Sequence, residues 1–341
     1  MLIYLIINFL VLMNHRNIDL SYVCSPSESE ITKHWISNRV KVSIICTAFN
    51  HFHYIESALN GFLNQVTDFP FEVIINDDCS TDDTLRIIEE YRESYPNIIK
   101  VIKHEMNQHS QGISPLYYLL PEVRGDYVAI CEGDDYWINA TKLQKQFDCL
   151  EETSSMLCIH SAFMLEGENV KDNPNWEFPS NEYNLVDIFR HPGQFSPTSS
   201  YFMNAKLFDN LLLKDIVNKP GVGDFFIEFF SAIDGKSIMA FNEKFSVYRT
   251  LSINSWSLQN NSDVNKKLEN TNLFLNKLDN VKLSVSEYEV GLLNIKIAQE
   301  LQDVFVSLLR KRKYLRACLF IWDVKSSFGL MLFVKRLIGK L

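Results

Sequence analysis

The chain has 341 residues, 46% of them hydrophobic, with 42 acidic against 33 basic side chains and a formal net charge of −9. That length fits one large domain or a domain with an appendage, and the composition supplies an ordinary globular core. The acidic balance excludes general nucleic-acid binding, which relies on basic surfaces, so no nucleic-acid partner is expected.

Met1 to Met13 is apolar but short of the ~20 residues that span a bilayer. It also lacks the basic start and small-residue cleavage site of a secretory signal. It reads either as an extension outside the fold or as a weakly membrane-associating segment. From Lys41 strand-like and helix-like segments alternate. Val42 to Thr47 is an apolar strand, and a helical pattern follows from Tyr54 to Val66. Phe71 to Ile75 is the next strand, ending in Asn76-Asp77-Asp78. Ser80 or Thr81 is expected to cap a helix whose first-turn acids, Asp82 and Asp83, suit its positive end. Pro96 stops that helix after Tyr95. Ile98 to Ile102 and Tyr127 to Cys131 are further strands, followed by a helix from Lys142 to Glu152 and a strand from Met156 to Phe163.

The later segments are less regular. Four prolines between 166 and 200 predict a loop-rich stretch, then a strand over Thr198 to Met203. Gly223-Asp224 opens an aromatic-rich helix ending near Gly235, and Phe245 to Arg249 is a short strand. From Asp263 the pattern is helical to the end. The last stretch, from Arg310, carries nine basic residues against the single acid Asp323, interleaved with Leu, Phe and Trp. Such a helix either lies in an anionic membrane interface or packs with a solvated basic edge.

Strands spaced by helices of ten to fifteen residues indicate a parallel α/β sheet, which binds ligands at the carboxyl ends of its strands. Both acidic groups, Asp77-Asp78 and Glu132/Asp134/Asp135, fall at such ends. Carboxylates this close repel by several kcal/mol near a protein surface, of order ~4 at 4 Å. Hard divalent ions take oxygen ligands, and Mg²⁺ combines one or two carboxylates with a substrate's phosphates. The cluster therefore predicts a metal–diphosphate site. The seven cysteines contain no C-x-x-C pair, so neither a disulfide framework nor a zinc site is expected, and the compartment reads as reducing. His51 and His53 point to different faces and make no metal pair. Gly221-Val222-Gly223 lacks the third glycine and the preceding strand of a dinucleotide turn.

Three segments in order carry a family resemblance: Val42 through Asn50; Phe71 through Thr84, with Asn76-Asp77-Asp78-Cys79-Ser80-Thr81-Asp82; and Gly125-Asp126-Tyr127-Val128-Ala129-Ile130 with Glu132-Gly133-Asp134-Asp135. They resemble the family-2 glycosyltransferases of the GT-A fold. That resemblance implies a Rossmann-like, mostly parallel sheet flanked by helices, with a helical C-terminal appendage. It divides the chain into an extension (1–40), a GT-A domain (41–258, with a nucleotide-binding half to 152 and an acceptor half from 153), and a helical region (259–341).

The implied activity is inverting transfer of a sugar from a nucleoside-diphosphate donor, with UDP favoured, to a glycan or lipid-linked hydroxyl in surface-polysaccharide synthesis. Thr47, Ala48 and Phe49 correspond to the loop against the base, and Asp77 or Asp78 to the acid that binds base or ribose. Asp134 and Asp135 correspond to the site of Mg²⁺ or Mn²⁺, with Glu132, where the family has Asp, as a further ligand candidate. Asp134 is also expected on the ribose or diphosphate, and Asp224 as the catalytic base. No Arg or Lys lies between Lys103 and Arg124 to pair with a diphosphate, so Asn107 is a candidate amide donor. Tyr248, Arg249 and Trp256 are candidates for the diphosphate or acceptor. The expected location is cytoplasmic, peripheral on the inner membrane through the basic end. The rival readings are a sugar-nucleotide pyrophosphorylase, disfavoured because Cys46 to His53 has neither Gly nor Lys or Arg, and an inactive GT-A scaffold.

Overall fold

The computed structural model describes residues 25–191, 193–250, 252 and 263–313. The apolar stretch at the start, Trp256 and the basic segment beyond Lys313 lie outside the described residues. The chain divides into two compact units, one ending at Ser252 and the other beginning at Ile253.

In the first unit, a short helix α1 (Glu28–Thr32) precedes β1 (Val42–Ala48), α2 (Ile55–Leu63), β2 (Phe71–Asp77), α3 (Thr84–Ser94), β3 (Ile99–Lys103), α4 (Leu116–Leu119) and β4 (Tyr127–Ile130). These strands pair in parallel in the order β3-β2-β1-β4. β2 and β4 are buried at every position, and β1 at all but Thr47, as expected of strands packed on both faces. The register sets Ala48 level with Asp77, so the ends of β1 and β2 open on one rim.

The polypeptide then turns through β5 (Tyr136–Trp137), α5 (Lys142–Glu151), β6 (Leu157–Glu166), β7 (Asn169–Asp172), β8 (Glu182–Tyr183) and α6 (Leu185–Arg190). It continues through β9 (Phe202–Asn204), α7 (Leu211–Val217), α8 (Asp224–Ala232) and β10 (Ile238–Thr250). β9 runs antiparallel between β4 and β6, joining the parallel half to a mixed half in one ten-stranded sheet. β10 lies parallel to β6 and antiparallel to β5.

Three local readings need correction. α3 starts at Thr84 behind Asp83, not behind Ser80 or Thr81. Those two residues are drawn away by Asn50, whose Oδ1 accepts from Thr81 N at 2.7 Å while Asn50 N donates to Ser80 Oγ at 2.9 Å. Thr198–Ser200 is a 3₁₀ turn, and the strand begins only at Phe202. The stretch 166–200 holds the β6–β7 hairpin and α6, which Asn184 and Asp187 cap reciprocally.

The core under the site is aromatic. Trp137 packs edge-on against Phe62, ring centroids 4.8 Å apart, and its Nε1 donates to Ser199 O at 2.8 Å. Gly61 lets α2 approach: a Cβ there would sit 2.8 Å from Trp137 O. The second unit contains α9 (Val264–Lys282), capped by Asp263, and α10 (Glu287–Arg310), opened by a Ser286/Glu289 capping box. Val304 and Leu308 of α10 pack with Leu268 of α9, and Lys267 bridges to Asp303 at 2.6 Å. Among the described residues, no helix is long and apolar enough to cross a membrane.

Candidate active site

β4 delivers its chain into a tight acidic turn. Cys131 N donates to Ile45 O at 3.2 Å and Gly133 N to Thr47 O at 2.9 Å, extending the β1–β4 pairing past the last strand residue. Asp135 N then closes the turn on Glu132 O at 3.0 Å. Gly133 is required here by crowding, since a Cβ would stand 2.8 Å from His51 Nδ1 and 2.9 Å from Ile55 Cδ1.

The three acids of the turn differ in their surroundings. Asp135 is 1% exposed; its Oδ1 accepts from Arg249 N at 2.9 Å, and its Oδ2 is buried without a hydrogen-bond partner among the described residues. Burial first, then Asp134 and Glu132, holds its pKa well above the usual carboxylate range, against the opposing bond from Arg249. Asp134 is only half-buried. Its Oδ2 accepts from Ser252 Oγ at 2.8 Å, and its Oδ1 has no hydrogen-bond partner among the described residues. Glu132 has no side-chain hydrogen bond among them either. Burial, Asp134 and Asp224 together push its pKa up to about 8.

The β5–β10 register explains a neighbour that composition does not reveal. Val247 lies opposite Tyr136 and Ser246 opposite Trp137, so stepping along the antiparallel pair sets Arg249 level with Asp134. Its guanidinium donates to Asp134 O at 2.7 Å and to Ser57 Oγ at 3.2 Å, and stacks 4.3 Å from the Tyr136 ring centroid. It therefore braces the turn through the backbone, leaving the Asp134 carboxylate to Ser252. Arg249 was among the candidates for the diphosphate or the acceptor; its bracing of the acidic turn was not foreseen. Nor was the proximity of His51 to the acids. Burial lowers the His51 pKa although Asp134, Asp82 and Asp77 all act to raise it.

The neighbouring rim is built from the loops after β1 and β2. Asn50 (φ 56°) and Cys79 (φ 63°) both adopt left-handed backbone, and the Asn50 bonds to Ser80 and Thr81 lock the two loops together. Asn is among the side chains that tolerate this region best. Phe52 N donates to Asp82 Oδ2 at 3.2 Å as a second tie. Ala48 O accepts from Asp78 N at 2.9 Å, Thr47 is half-buried, and Phe49 is half-buried beside them.

Asp77 and Asp78 separate clearly. Asp78 accepts from Gln108 N at 2.6 Å and His109 N at 3.0 Å, capping the 3₁₀ turn His109–Gln111 with both oxygens. Asp77 uses Oδ2 for Ser80 N at 3.0 Å, while its Oδ1 is buried without a hydrogen-bond partner among the described residues. Asn107 spends both amide ends internally, donating to Asp78 O at 3.1 Å and accepting from Ser110 N at 2.7 Å.

Asp224 is the first residue of α8. Its Oδ2 accepts from Thr198 Oγ1 at 3.1 Å and from Gln194 Nε2 at 3.2 Å. Glu132 and the second oxygen of Asp134 are carboxylate oxygens of the kind that could hold a hard cation, and no Lys or Arg pairs with them among the described residues. Among the described residues no three His, Cys, Asp or Glu side chains enclose an ion unaided.

Residues 43–212 match the family described as Glycosyl transferase family 2. An uncharacterised protein of Mycobacterium tuberculosis is 41% identical over 140 residues, covering 40% of this chain and 39% of that one. The poly(ribitol-phosphate) beta-N-acetylglucosaminyltransferase TarS of Staphylococcus aureus is 33% identical over 181 residues, 52% of this chain and 29% of its own. The chain thus spans well under half the length of these curated relatives. The structure of TarS 1-349 in complex with UDP-GlcNAc superposes with a TM-score of 0.53 at 20% identity, covering 88% of this chain and 92% of that one. A mannosyltransferase of Pyrobaculum calidifontis in complex with GDP-Man and Mn²⁺ gives 0.52 at 13% identity, covering 100% of this chain and 88% of that one. The shared architecture is the GT-A fold. The family match begins on β1, takes in the acidic turn and ends at the start of α7, and the chain belongs to glycosyltransferase family 2.

Proposed function

We propose that this protein is an inverting, divalent-metal-dependent glycosyltransferase that moves a sugar from a nucleoside-diphosphate donor to a hydroxyl acceptor. The observation that carries this reading is the acidic turn after β4, where Glu132 and Asp134 follow a strand whose pairing with β1 runs on to Thr47, beside the β2 end that carries Asp77 and its buried oxygen without a hydrogen-bond partner among the described residues. Asp77 is the acid suited to the base or ribose, because Asp78 is consumed in capping. Thr47, Ala48 and Phe49 line the approach for the base, with the Phe49 ring available for stacking. Asp134 and Glu132 are the acids that would hold Mg²⁺ or Mn²⁺, which when bound stabilises charge on the departing diphosphate. Asp135, named beside them from sequence, is better placed to anchor Arg249 than to reach a ligand.

Asp224 serves as general base. Its carboxylate takes the proton of the acceptor hydroxyl as that oxygen forms a bond to the anomeric carbon, and the bond to the diphosphate breaks on the opposite face. Such bases contribute roughly 10²–10⁴-fold. UDP-GlcNAc is the first donor to try, since TarS 1-349 is seen in complex with it. The named relatives, TarS and the dTDP-rhamnosyl transferase RfbG of Shigella flexneri, suggest a surface glycan or lipid-linked acceptor. The basic segment from Arg310 supports placement at the cytoplasmic face of a membrane.

The test is titration with UDP and Mn²⁺, followed by UDP release from UDP-sugars. Asp134→Ala should abolish metal-dependent UDP binding. Asp224→Asn should keep binding and lose turnover by about 10²-fold or more. Unaltered binding in the first variant, or wild-type turnover in the second, removes that residue from the mechanism. Removing the segment after Arg310 should end co-sedimentation with anionic vesicles; retained binding refutes the membrane placement.

A further inference from the structure

Glu228 lies one turn beyond Asp224 on α8 and has no place in the reaction described above. It is 1% exposed, on a helix whose neighbours Phe225, Phe226, Phe229 and Phe230 are all buried. A carboxylate in such surroundings is costly unless hydrogen-bonded, and an apolar side chain would serve packing better. Its Oε1 accepts three bonds, from Ser196 N at 3.1 Å, Ser196 Oγ at 2.8 Å and Tyr201 OH at 2.7 Å. All three donors come from the stretch 194–201. The same stretch supplies Gln194 Nε2 and Thr198 Oγ1 to Asp224. Residues four apart on a helix share a face, so α8 grips this stretch twice, at Asp224 and at Glu228.

We infer that Glu228 is a positioning residue for the transfer. By fixing Ser196 and Tyr201, it sets the stretch that orients the Asp224 carboxylate toward the acceptor hydroxyl. The inference rests on Asp224 as the base. The charged or titratable groups bearing on Glu228 are Asp224 on its own helix and the Tyr201 phenol on the facing wall. Burial pushes the Glu228 pKa up to about 7, opposed by the bonds from Tyr201 and Ser196. The amide oxygen of a glutamine accepts the same three bonds without a charge, so the hydrogen bonds can be tested apart from ionisation.

The experiment follows UDP release from UDP-GlcNAc with Mn²⁺ by the full chain, water serving as acceptor, with rates expressed per UDP-binding site. Glu228→Gln should stay within about threefold of wild type, whereas Glu228→Ala should lose about tenfold or more in kcat. KM for UDP-GlcNAc and affinity for UDP should change little in either, because the nucleotide side is untouched. Tyr201→Phe removes one donor at nearly constant volume and decides the matter if the alanine variant does not fold. It should lower kcat severalfold with UDP binding intact. The inference is overturned if the folded variants keep wild-type kcat, or if kcat and UDP affinity fall together. Wild-type protein that releases UDP from no UDP-sugar defeats the transferase reading and this inference with it, while wild-type turnover with unaffected variants defeats the role of Glu228 alone.

Discussion

Lys142 offers the sharpest test of how the site's support is built. It opens α5, is 0% exposed, and its Nζ has no hydrogen-bond partner among the described residues. The ammonium lies 3.9 Å from the Trp137 ring centroid. Burial drives its pKa from an ordinary 10.5 to about 7, with Cys131 and Cys158 opposing. At 1.36 kcal/mol per pKa unit, that drop corresponds to at most roughly 5 kcal/mol of penalty on the charged form. The sign follows from linkage. Above pH 7 the unfolded chain holds this proton and the folded chain does not, so this residue's contribution to stability rises with pH toward 10.5. Below pH 7 both states hold the proton and the penalty is constant. Lys142→Met, close in volume and without charge, should therefore raise the urea midpoint most at pH 6 to 7, by an amount equivalent to about 6 °C in Tm. The advantage over wild type should shrink as pH approaches 10. Taking the difference between variant and wild type removes the common titration of the buried thiols. An advantage that is absent at pH 6.5, or that grows with pH, refutes the reasoning.

Gly133→Ala should destabilise by about 1–3 kcal/mol through its collision with His51 and Ile55, and should weaken UDP binding; a neutral urea midpoint would show that His51 moves freely. Arg249→Lys keeps the charge but cannot stack on Tyr136 and reach both Asp134 O and Ser57, so metal-dependent UDP affinity should fall by about tenfold. Isothermal titration equal to wild type would show that the turn holds its shape unaided. Asp77→Ala should weaken UDP binding with little change in stability of the 107–112 loop. Asp78→Ala should instead expose the Gln108 and His109 amides to faster hydrogen exchange; the reverse pattern would exchange the roles of the two acids.

The first half of the fold was legible because its strands are buried on both faces and read as continuous apolar runs. β1, β2 and β4 fall where Val42 to Thr47, Phe71 to Ile75 and Tyr127 to Cys131 predict them. β10 was legible only at its end. Its pairing with β6 shifts register between Phe241 and Ser246, and Asn242, Glu243 and Lys244 interrupt the apolar pattern there. β5, two residues long, has no period to read. Among the site residues, the acidic turn and Asp224 were visible as local clusters at element ends. The choice between Asp77 and Asp78 was not, because it depends on amides 30 and 31 positions downstream. The bracing role of Arg249 was hidden for the same reason, since the carbonyl it holds lies 115 residues away.

The reach of β10 back to the acidic turn limits how this protein can be shortened. Asp224, Glu228, Arg249 and Ser252 all lie beyond residue 212, where the family match ends. A fragment trimmed to the matched segment would keep the acidic turn yet lose Arg249 and Ser252, which hold it, together with Asp224 and Glu228 on α8. Any shortened piece that is to keep the turn braced must therefore extend at least through Ser252, and a tag or fusion junction placed before that residue would part the acidic turn from the strand that holds it.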